Sequence, residues 1–529
     1  MKTPLLLGID LGTSATKMGL VAPDGSVVAT HAEPNTVESP HPGWMEMRPD
    51  AWWQGFCRGI LILRQKANVP SEAVAGVAFS VLYPALIPLD AAGRPLRPAI
   101  LYSDQRSVRQ LEWLREKIGA DQIFRVCGNA PSVGTCSLTS LLWLKENEPA
   151  VFDRARFFAH ANSYLAARLT GVVGMDWANA ALTGLFETGS SFTWSPCLAA
   201  AAGVPMEKLP PVLPPYAVLG AITKEAAADT GLSPGTPVCL GAGDTACSSF
   251  GVGLVAPGDI CLTCGTTDNL AVCVDAPSFD RRFATSTHVL RDRWLLIGTM
   301  SHTGGALEWI AQCSPSPTTL EQLLDDAAGV PPGADGLIFL PYLQGERSPV
   351  WDPHARGVFF GLSPRTRWPH MVRAVLEGCA FAVRQNVEIA EKILGRPVSE
   401  IKIMGGAARS AVWNAIRANI LQKPLRPVPM RETSLLGAAM IAAVGSGLMK
   451  TPLDAVRSMQ ARPADETLRP DPAAPHVYDP LYRTYLRLYP ALRDLFRELG
   501  LVTQDDWEEL ELRVAQLEHR LRLLEDRPD

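Results

Sequence analysis

The sequence has no excess of positive charge and no long hydrophobic run. Its 49 Lys and Arg residues are outnumbered by 54 Asp and Glu residues, which gives a net charge of −5 at pH 7. Nucleic-acid binding needs a basic surface that neutralises phosphates, so we expect no nucleic-acid partner. The longest apolar stretch, residues 435–444, is too short to span a bilayer, so we expect no membrane partner. The N-terminal apolar run ends at Asp10 after five residues, which argues against a signal peptide and favours a cytoplasmic protein.

Cysteine is present but follows no regular spacing. The 11 Cys residues are an odd number, which argues against a secreted scaffold built on disulfides. Cys261 and Cys264 are three residues apart, but a strand would place them on opposite faces, so we do not expect a metal pair. The motif G-x-x-x-x-G-K-[ST] is absent, which excludes a P-loop nucleotide site.

Strand-like and helix-like segments alternate along most of the 529 residues, and the sequence predicts an α/β protein with a sizeable core. Residues 5–31 have the pattern of three strands joined by turns. A second strand–turn–strand pattern begins near residue 258, and its Gly-Thr-Thr turn matches the first Gly-Thr-Ser turn. We interpret this as an internal duplication that produces two α/β domains, residues 1–254 and 255–498, with a cleft between them. Residues 463–480 are rich in Pro, Asp and Ala, which is typical of a loop or linker.

The turn of the first hairpin, in D-L-G-T-S-A-T-K (10–17), combines small residues with a carboxylate and an amine. A tight turn of small residues brings backbone N–H groups and hydroxyls close to phosphate oxygens. Asp10 can hold Mg²⁺ directly or through water, and Lys17 can add positive charge. The alternative is an ordinary hairpin with a polar turn. The second copy, G-T-T (265–267), lacks the Asp, and two such hairpins can hold a nucleoside triphosphate from both sides.

Two glycine-rich segments follow apolar runs later in the chain. In G-A-G-D-T (241–245), Asp244 stands at the end of a strand, where a carboxylate facing a cleft can accept a proton from a substrate hydroxyl. The alternative is that Asp244 caps the next helix. In M-G-G-A-A-R-S (404–410), Gly405 and Gly406 allow a phosphate or a planar group to pack on the backbone. The alternative there is a simple tight connection between a strand and a helix.

Several longer segments resemble the FGGY carbohydrate kinases, a family of the actin, hexokinase and heat-shock-70 ATPase superfamily. G-I-D-L-G-T-S-A-T-K (8–17) is similar to the first phosphate loop of the family. H-P-G-W-M-E-M-R-P-D-A-W-W (41–53) resembles a second family block, and L-P-Y-L-Q-G-E-R-S-P opens a third over residues 340–362. Residues 357–377, which begin G-V-F-F-G-L, fit the C-terminal signature at every defined position. The resemblance extends over residues 5–490.

The resemblance implies two duplicated ribonuclease-H-like domains, as in the actin-like ATPases, that flank a catalytic cleft. The N-terminal domain would bind the sugar and phosphate groups and the C-terminal domain the nucleotide, with ATP and Mg²⁺ as cofactors. Asp244 matches the catalytic base and Asp10 the metal-facing carboxylate. Asp104 and Arg106, in Y-S-D-Q-R (102–106), match positions near the sugar. The other positions that match nucleotide-contacting residues are Gly12, Thr13, Ser14, Lys17, Gly265, Thr266, Thr267, Gly304, Gly305, Gly405, Gly406 and Ala407.

The chain departs from the family pattern at two places. Ser140 stands where the N-terminal signature has a lysine. Where xylulose kinases have S-G-Q-M-H-G, this chain has S-V-L-Y-P-A (80–85), so Leu82 and Tyr83 join Asp104 and Asp244 as predicted substrate residues. Hydroxyl recognition needs polar partners, and changing them changes the substrate.

The implied function is an ATP-dependent carbohydrate kinase that phosphorylates a hydroxyl of a ketose, a sugar acid or a polyol. A xylulose-like pentulose is the first choice. Gluconate, ribulose and tetritols stay open as substrates, and so does a different class of protein, a sugar-binding regulator that has lost catalysis.

Residues 499–529 differ in pattern from the rest of the chain. Apolar residues recur there at spacings of 3 and 4, with Glu and Arg between them, which is the pattern of a coiled-coil seam. We expect a helical tail and a homodimer formed through it, and the alternative is a helix docked on its own domain. The residues of this seam are Trp507, Leu510, Val514, Leu517, Leu521 and Leu524.

Overall fold

The structure, a computed structural model, describes residues 4–500. The strands of the first half are β1 (Leu5–Leu11), β2 (Ala15–Val21), β3 (Val27–Pro34), β4 (Glu46–Met47), β5 (Val74–Val81), β6 (Ala85–Leu89), β7 (Ala99–Leu101), β8 (Phe157–Ala159), β9 (Met175–Asp176), β10 (Val212–Leu213), β11 (Val218–Ala221), β12 (Pro237–Cys239) and β13 (Ala242–Gly243). Its helices are α1 (Pro49–Ala67), α2 (Val108–Lys117), α3 (Ala120–Cys127), α4 (Ser137–Asn147), α5 (Pro149–Arg154), α6 (Ala161–Thr170), α7 (Trp177–Ala181), α8 (Pro196–Ala202), α9 (Lys224–Thr230) and α10 (Asp244–Gly251).

The second half continues the alternation of strands and helices. Its strands are β14 (Ile260–Cys264), β15 (Asp268–Val274), β16 (Ala284–Thr287), β17 (Trp294–Met300), β18 (Ile338–Leu340), β19 (Val358–Phe360), β20 (Ile401–Met404) and β21 (Leu425–Pro427). Its helices are α11 (Gly304–Gln312), α12 (Leu320–Ala328), α13 (Trp368–Leu394), α14 (Ala411–Leu421), α15 (Thr433–Gly445), α16 (Pro452–Met459) and α17 (Ala474–Gly500).

The two main sheets have the same topology. In the first sheet the order is β3–β2–β1–β5–β12, with β1–β2 and β2–β3 antiparallel and with β5 parallel to both β1 and β12. In the second the order is β17–β15–β14–β20–β21, with the same antiparallel and parallel pairs in the same places. The predicted α/β fold class and its internal duplication are confirmed. The matching turns lie at equivalent ends of the first hairpin of each sheet.

The longest apolar run of the sequence forms α15, which joins the two halves. Residues 435–443 are buried, because the helix packs on β1 and β5 of the first sheet and also on α10. Glycines allow this close approach: a Cβ on Gly8 would lie 2.3 Å from the Leu435 carbonyl oxygen, and one on Gly437 would lie 1.9 Å from the Cys247 carbonyl oxygen. A helix buried on all sides is apolar all round.

The predicted loop at residues 463–480 is wrong for its last part, because α17 begins at Ala474. The tyrosines of this helix explain the difference. Tyr478 and Tyr485 are buried against α13 and β18, and their hydroxyls reach the Glu377 carboxylate and the Tyr342 hydroxyl. This packing outweighs the prolines that made the segment resemble a loop. The predicted seam at residues 507–524 lies outside the described residues.

No helix of residues 4–500 combines the length and the apolar character that a membrane crossing needs. A smaller sheet with the order β4–β7–β6–β8 extends the first half beyond its main sheet. The loop between β7 and α2 carries Asp104 and Arg106, so this smaller sheet positions one of the predicted substrate segments.

Candidate active site

Asp10 lies near the end of the central strand of the first sheet. It is opposite Lys17 in the β1–β2 hairpin and beside Ser80 in the parallel strand β5. The Ser80 hydroxyl donates a hydrogen bond of 2.7 Å to Asp10 Oδ1. Burial raises the pKa of Asp10 to about 6, the Ser80 hydrogen bond opposes this rise, and the nearby Asp244 carboxylate adds to it. Asp10 is therefore mostly ionised at neutral pH, with one oxygen held in place by Ser80.

Asp244 lies at the same edge of the first sheet. Strand β13 runs parallel to β5 and pairs with it beside Ser80, so the chain delivers Asp244 close to Asp10. Gly243 occupies the N-cap position of α10, and Asp244 is the first residue of the helix. Its Oδ1 accepts hydrogen bonds from the N–H and the hydroxyl of Thr245. The surrounding protein reduces the hydration of this carboxyl and so raises its pKa. The side chain nevertheless remains exposed to the cleft.

One cavity of about 260 Å³ brings the two carboxylates together. Its walls come from both halves of the chain, and it adjoins a larger cavity of about 690 Å³ in the second half. Lys17 and Gly405 line both cavities, so the two cavities are neighbouring parts of one cleft. The predicted residues that line the first cavity are Asp10, Gly12, Lys17, Asp244 and Gly405, and those that line the second are Lys17, Gly405 and Gly406.

The turn of the first hairpin is held by backbone groups and by one asparagine. The Gly12 N–H donates to the Ala15 carbonyl at 2.9 Å, and Asn35 Nδ2 donates to the Gly12 carbonyl at 2.7 Å. Thr13 is half-buried and Ser14 is exposed, and of this turn Gly12 lines the cavity. Accessible hydroxyls on a turn held in this way agree with the phosphate loop that the sequence predicts, and their contact with phosphate stays a prediction.

The second hairpin packs directly on the start of α11. The Gly305 N–H donates to the Thr266 carbonyl at 2.9 Å. A Cβ on Gly304 would lie 2.1 Å from the Gly265 carbonyl oxygen, so no larger residue fits this backbone contact. The predicted positions at residues 265–266 and 304–305 are thus brought together by main-chain packing.

Gly405 completes the same cluster from the third predicted segment. Its φ is +96°, and a Cβ there would lie 2.4 Å from the Cys264 carbonyl oxygen at the base of the second hairpin. Gly406 has an ordinary helical backbone and lines the larger cavity. Ala407 begins a short 3₁₀ turn that ends at Arg409. The second hairpin, the start of α11 and this turn therefore meet at one place.

Tyr83 lies beside the predicted base, whereas Leu82 is buried directly after the end of β5. A Cβ on Gly243 would lie 2.3–2.4 Å from three ring atoms of Tyr83, so the ring rests on the backbone that precedes Asp244. Burial raises the pKa of Tyr83, and the Asp244 carboxylate adds to the rise. The Leu82 N–H donates to the Leu11 carbonyl at 2.8 Å, and its side chain is buried.

Asp104 is fully buried, and the chain's own donors occupy both of its oxygens. It accepts hydrogen bonds from the Met45 N–H at 2.6 Å and from the backbone, Nε and Nη2 of Arg106 at 2.8–2.9 Å. The Arg106 guanidinium in turn lies 3.7 Å over the Trp44 ring and 2.6 Å from Glu46. In this structure Asp104 orders its own loop, and its predicted contact with a substrate stays a prediction.

Matches to known proteins agree with this geometry. Residues 5–251 match the N-terminal domain, and residues 261–446 the C-terminal domain, of the FGGY family of carbohydrate kinases. The chain belongs to the FGGY family of carbohydrate kinases. The predicted family and fold class are confirmed, and the reaction class is phosphoryl transfer to a sugar hydroxyl.

Individual relatives of this FGGY kinase differ in the substrate that their names state. The chain is 30% identical to the xylulose kinase of Escherichia coli, over 93% of this chain and 100% of that protein. It is 28% identical to the gluconokinase of Bacillus subtilis, over 86% of this chain and 90% of that protein. The crystal structure of xylulose kinase from Rhodospirillum rubrum superposes with a TM-score of 0.86 and 34% identity, covering 93% of this chain and 100% of that one.

The site of this FGGY kinase contains an ion pair that the sequence did not indicate. Lys17 Nζ lies 3.0 Å from Glu432 Oε2, and Glu432 precedes α15 in the second half. The two residues are 415 positions apart, so no local pattern connects them. The sequence predicts that Lys17 faces phosphate, and in this structure a carboxylate from the other half pairs with it.

A second missed residue, Glu346, lies behind the hairpin of the second half. The Thr267 hydroxyl donates to the Ser301 carbonyl at 3.0 Å, and the Ser301 N–H donates to Glu346 Oε1 at 2.7 Å. Glu346 also accepts the Arg347 N–H at 2.7 Å, and burial raises its pKa to about 7. The Thr267 hydroxyl is thus engaged within its own half, and its predicted phosphate contact stays a prediction. The G-E-R-S-P segment was a signal for family membership, but it did not indicate this role.

The carboxylates of the cleft suit a magnesium ion that arrives with a nucleotide. Within residues 4–500, no group of three or more His, Cys, Asp and Glu side chains is arranged to hold a metal ion. Nucleotide-bound Mg²⁺ usually takes one or two protein carboxylates and completes its shell with water and phosphate oxygens. Asp10 fits this requirement, because it lines the cavity and Ser80 fixes one of its oxygens.

Proposed function

We propose that this protein transfers the γ-phosphoryl group of ATP to a primary hydroxyl of an open-chain sugar, with a xylulose-like pentulose as first choice. The observation that carries the proposal is the shared cavity. Asp10 and Asp244 reach it from the first sheet, and Lys17 and Gly405 extend it toward the second half. A carboxylate base, a carboxylate for Mg²⁺ and loops that suit phosphate are thus combined in one cleft.

Asp244 is the general base in this proposal. It accepts the proton of the substrate hydroxyl while the hydroxyl oxygen bonds to the γ-phosphorus and the bond from that phosphorus to the β-phosphate bridging oxygen breaks. Its raised pKa makes the carboxylate a better proton acceptor than an ordinary Asp. The Thr245 hydrogen bonds to Oδ1 orient the carboxylate.

The two hairpins and Asp10 stabilise the charge of the phosphates. Asp10 would hold Mg²⁺, which supplies positive charge to the phosphate oxygens when bound. The turn hydroxyls of Thr13 and Ser14 and the backbone N–H groups of the two hairpins are donors for the same oxygens. Preorganised donors of this kind contribute most of the catalysis in phosphoryl transfer.

Tyr83 supports a neutral polyhydroxyl substrate. Its ring lies on Gly243, and its hydroxyl is close to the hydroxyls of Thr245 and of Ser286 from the second half. Neutral hydroxyls can exchange hydrogen bonds with sugar hydroxyls, whereas a carboxylate substrate is usually recognised by Arg or Lys. This favours a neutral ketose or polyol over gluconate at this end of the site.

A screen of acceptors tests the proposal. Purified protein with ATP and Mg²⁺ is assayed for ADP release against pentuloses, sugar acids and polyols, with the Asp244→Asn variant as the matched blank. We expect turnover that depends on one class of open-chain sugar and is highest with a pentulose. A sugar-binding regulator would instead show no sugar-dependent ADP release with any acceptor. Strong preference for gluconate or a tetritol would replace the first choice of substrate without changing the class of reaction.

Two expectations about the cellular context are also proposals. We propose a homodimer, on the apolar seam at residues 507–524, and a cytoplasmic location, on the absence of a membrane-length apolar run. The small-molecule sugar substrate follows from family membership.

A further inference from the structure

A fully buried ion pair lies behind the predicted nucleotide site of the second half. Arg417 Nη2 is 3.5 Å from Asp268 Oδ2, and the two side chains have at most 1% of their surface exposed. Asp268 is the first residue of β15 and Arg417 lies in α14. Removing two charges from water costs free energy that their attraction often does not recover, so such a pair needs an explanation.

The predicted nucleotide loops of the second half are residues 265–267, 304–305 and 405–407. Asp268 connects the first two of them. It pairs across the second hairpin with Cys264 and across the other side of β15 with Met300. Cys264 leads into the first of these loops, and Met300 leads toward the second. The Thr303 hydroxyl is buried near the Asp268 carboxylate and has no other partner within residues 4–500.

Arg417 reaches the third nucleotide loop. Its Nη1 lies 3.4 Å from the Ala407 carbonyl oxygen and 3.4 Å from Asn414 Oδ1, and its guanidinium lies 4.0 Å over the Trp413 ring. Asn414 Nδ2 donates to the Ala408 carbonyl at 2.6 Å and lines the larger cavity. The guanidinium therefore spans from the base of the second hairpin to the 3₁₀ turn at residues 407–409.

The duplicated half shows that the hairpin itself does not require this charge. Thr16 pairs with Leu11 in the first hairpin as Asp268 pairs with Cys264 in the second. The first hairpin folds with a buried but uncharged side chain at this place. The pair therefore belongs to something that the second half does and the first does not, which in the proposed function is to bind the nucleotide.

We propose that Asp268 and Arg417 are positioning residues that hold the three nucleotide loops in one arrangement and thereby determine the affinity for the nucleotide. This inference rests on the proposed function of the cleft. The pair is behind the loops and does not contact the reacting atoms. Misplacing a binding group by about 1 Å can cost about 100-fold in rate. An ion pair that fixes the positions of three loops at once is therefore expected to have a large effect on nucleotide binding.

The test compares charge removal at this pair with charge removal at a second buried pair in the same half. The variants are Arg417→Met, Arg417→Lys and the double variant Asp268→Asn with Arg417→Met. The matched controls are Arg373→Met and the double variant Arg373→Met with Glu377→Gln, because Arg373 Nε lies 2.6 Å from Glu377 Oε1 in a buried pair outside the nucleotide loops. Thermal unfolding, ADP binding by calorimetry, and KM for ATP and for the sugar are measured for each.

We expect Arg417→Met to lower the melting temperature and to raise the Kd for ADP by about tenfold or more, with KM for the sugar changed by less than about twofold. In the double variant neither charge is left alone, so most of the decrease in melting temperature should be reversed. The loss of ADP affinity should remain. Arg417→Lys should keep the charge and still lose affinity, since one ammonium cannot reach both Asp268 and Ala407. The control variants should change stability in the same way as the variants they match, with the Kd for ADP unchanged.

Recovery of ADP affinity together with stability in the double variant would overturn the inference, and so would an equal loss of affinity in the controls. If Arg417→Met does not fold, the same comparison is made between the double variant and the double control. Failure of the wild-type protein to bind ADP would overturn the proposed function and this inference with it, whereas normal wild-type turnover with unaffected variants would overturn the inference alone.

Discussion

Lys17 and Glu432 form an ion pair across the two halves of the molecule, with Nζ 3.0 Å from Oε2. Lys17 belongs to the hairpin that also carries Asp10, and Glu432 stands at the start of α15, the helix that packs on the first sheet. Both side chains are partly exposed to solvent, so the pair contributes little to stability. Its position between the two cavities indicates a role in the cleft instead.

Replacing each partner separately distinguishes the role of this pair. We expect Lys17→Met to raise KM for ATP about tenfold, because a charge facing the phosphates is lost. We expect Glu432→Gln to leave KM for ATP unchanged or to lower it, because Lys17 keeps its charge and loses a competitor. Steady-state kinetics at low salt measure both. Equal increases in KM for the two variants would contradict this prediction and show that the pair is purely structural.

Asp244→Asn should abolish most of the catalytic rate without abolishing nucleotide binding. General-base catalysis is typically worth about 10²–10⁴-fold, and we expect kcat to fall within that range. The control is Asp229→Asn, an exposed Asp in α9 of the same half. Sugar-dependent ADP release and ADP binding by calorimetry are the two measurements. Activity close to that of the wild-type protein would remove Asp244 from the role of base.

The rate should fall in acid because Asp10 must be ionised to hold Mg²⁺. Its pKa of about 6 is raised by burial, so kcat/KM should decline as the pH falls through about 6. Ser80→Ala removes a hydrogen bond that lowers this pKa, so the decline should move upward by about one pH unit. Ser39→Ala, an exposed serine, is the control. An unmoved pH profile in Ser80→Ala would show that another group controls the acid limb.

The same pKa shift has the opposite consequence for stability. Ionising Asp10 is harder in the folded protein than in the unfolded chain, because the folded pKa is raised from 3.8 to about 6. Its contribution to the free energy of unfolding is therefore fully present below pH 3.8 and decreases as the pH rises toward 6.

Gly405 and Gly406 are neighbours in sequence but should respond differently to a methyl group. Gly405 has a φ of +96° and a carbonyl oxygen 2.4 Å from the place of a Cβ, whereas a Cβ on Gly406 meets only the end of the Arg409 side chain at 4.0 Å. We expect Gly405→Ala to lower the free energy of unfolding by about 2 kcal/mol or more and to raise KM for ATP. Gly406→Ala should change stability by less than about 0.5 kcal/mol. Thermal unfolding of the two variants checks this, and similar melting temperatures would contradict it.

The predicted homodimer can be tested by removing the tail. A stop codon after residue 500 deletes the apolar seam at 507–524, which lies outside the described residues. We expect the full chain to have the mass of a dimer in light scattering and the truncated chain that of a monomer. Kinase activity of the truncated chain confirms that it is folded, and an unchanged oligomeric state would exclude the tail as the interface.

The sequence was informative wherever a local pattern controls the structure. The hairpins at the start of each half were recognisable because small residues in a turn between two apolar strands leave few other conformations. Asp10 and Asp244 were recognisable as candidates because each stands at the end of an apolar run. The loop predicted at residues 463–480 failed in its last part, because the packing of Tyr478 and Tyr485 decides the start of α17 and composition does not report packing.

By itself the sequence determined the family, the duplicated α/β fold and the two carboxylates of the cleft, since these depend on residue types at short spacing. Only the tertiary structure decided which distant groups meet: Glu432 with Lys17, Arg417 with Asp268, and Asp104 with the Met45 N–H group. These contacts join residues whose separation along the chain carries no periodic signal. Their energies come from burial and from the distance between charges, and both exist only once the two sheets and α15 have packed.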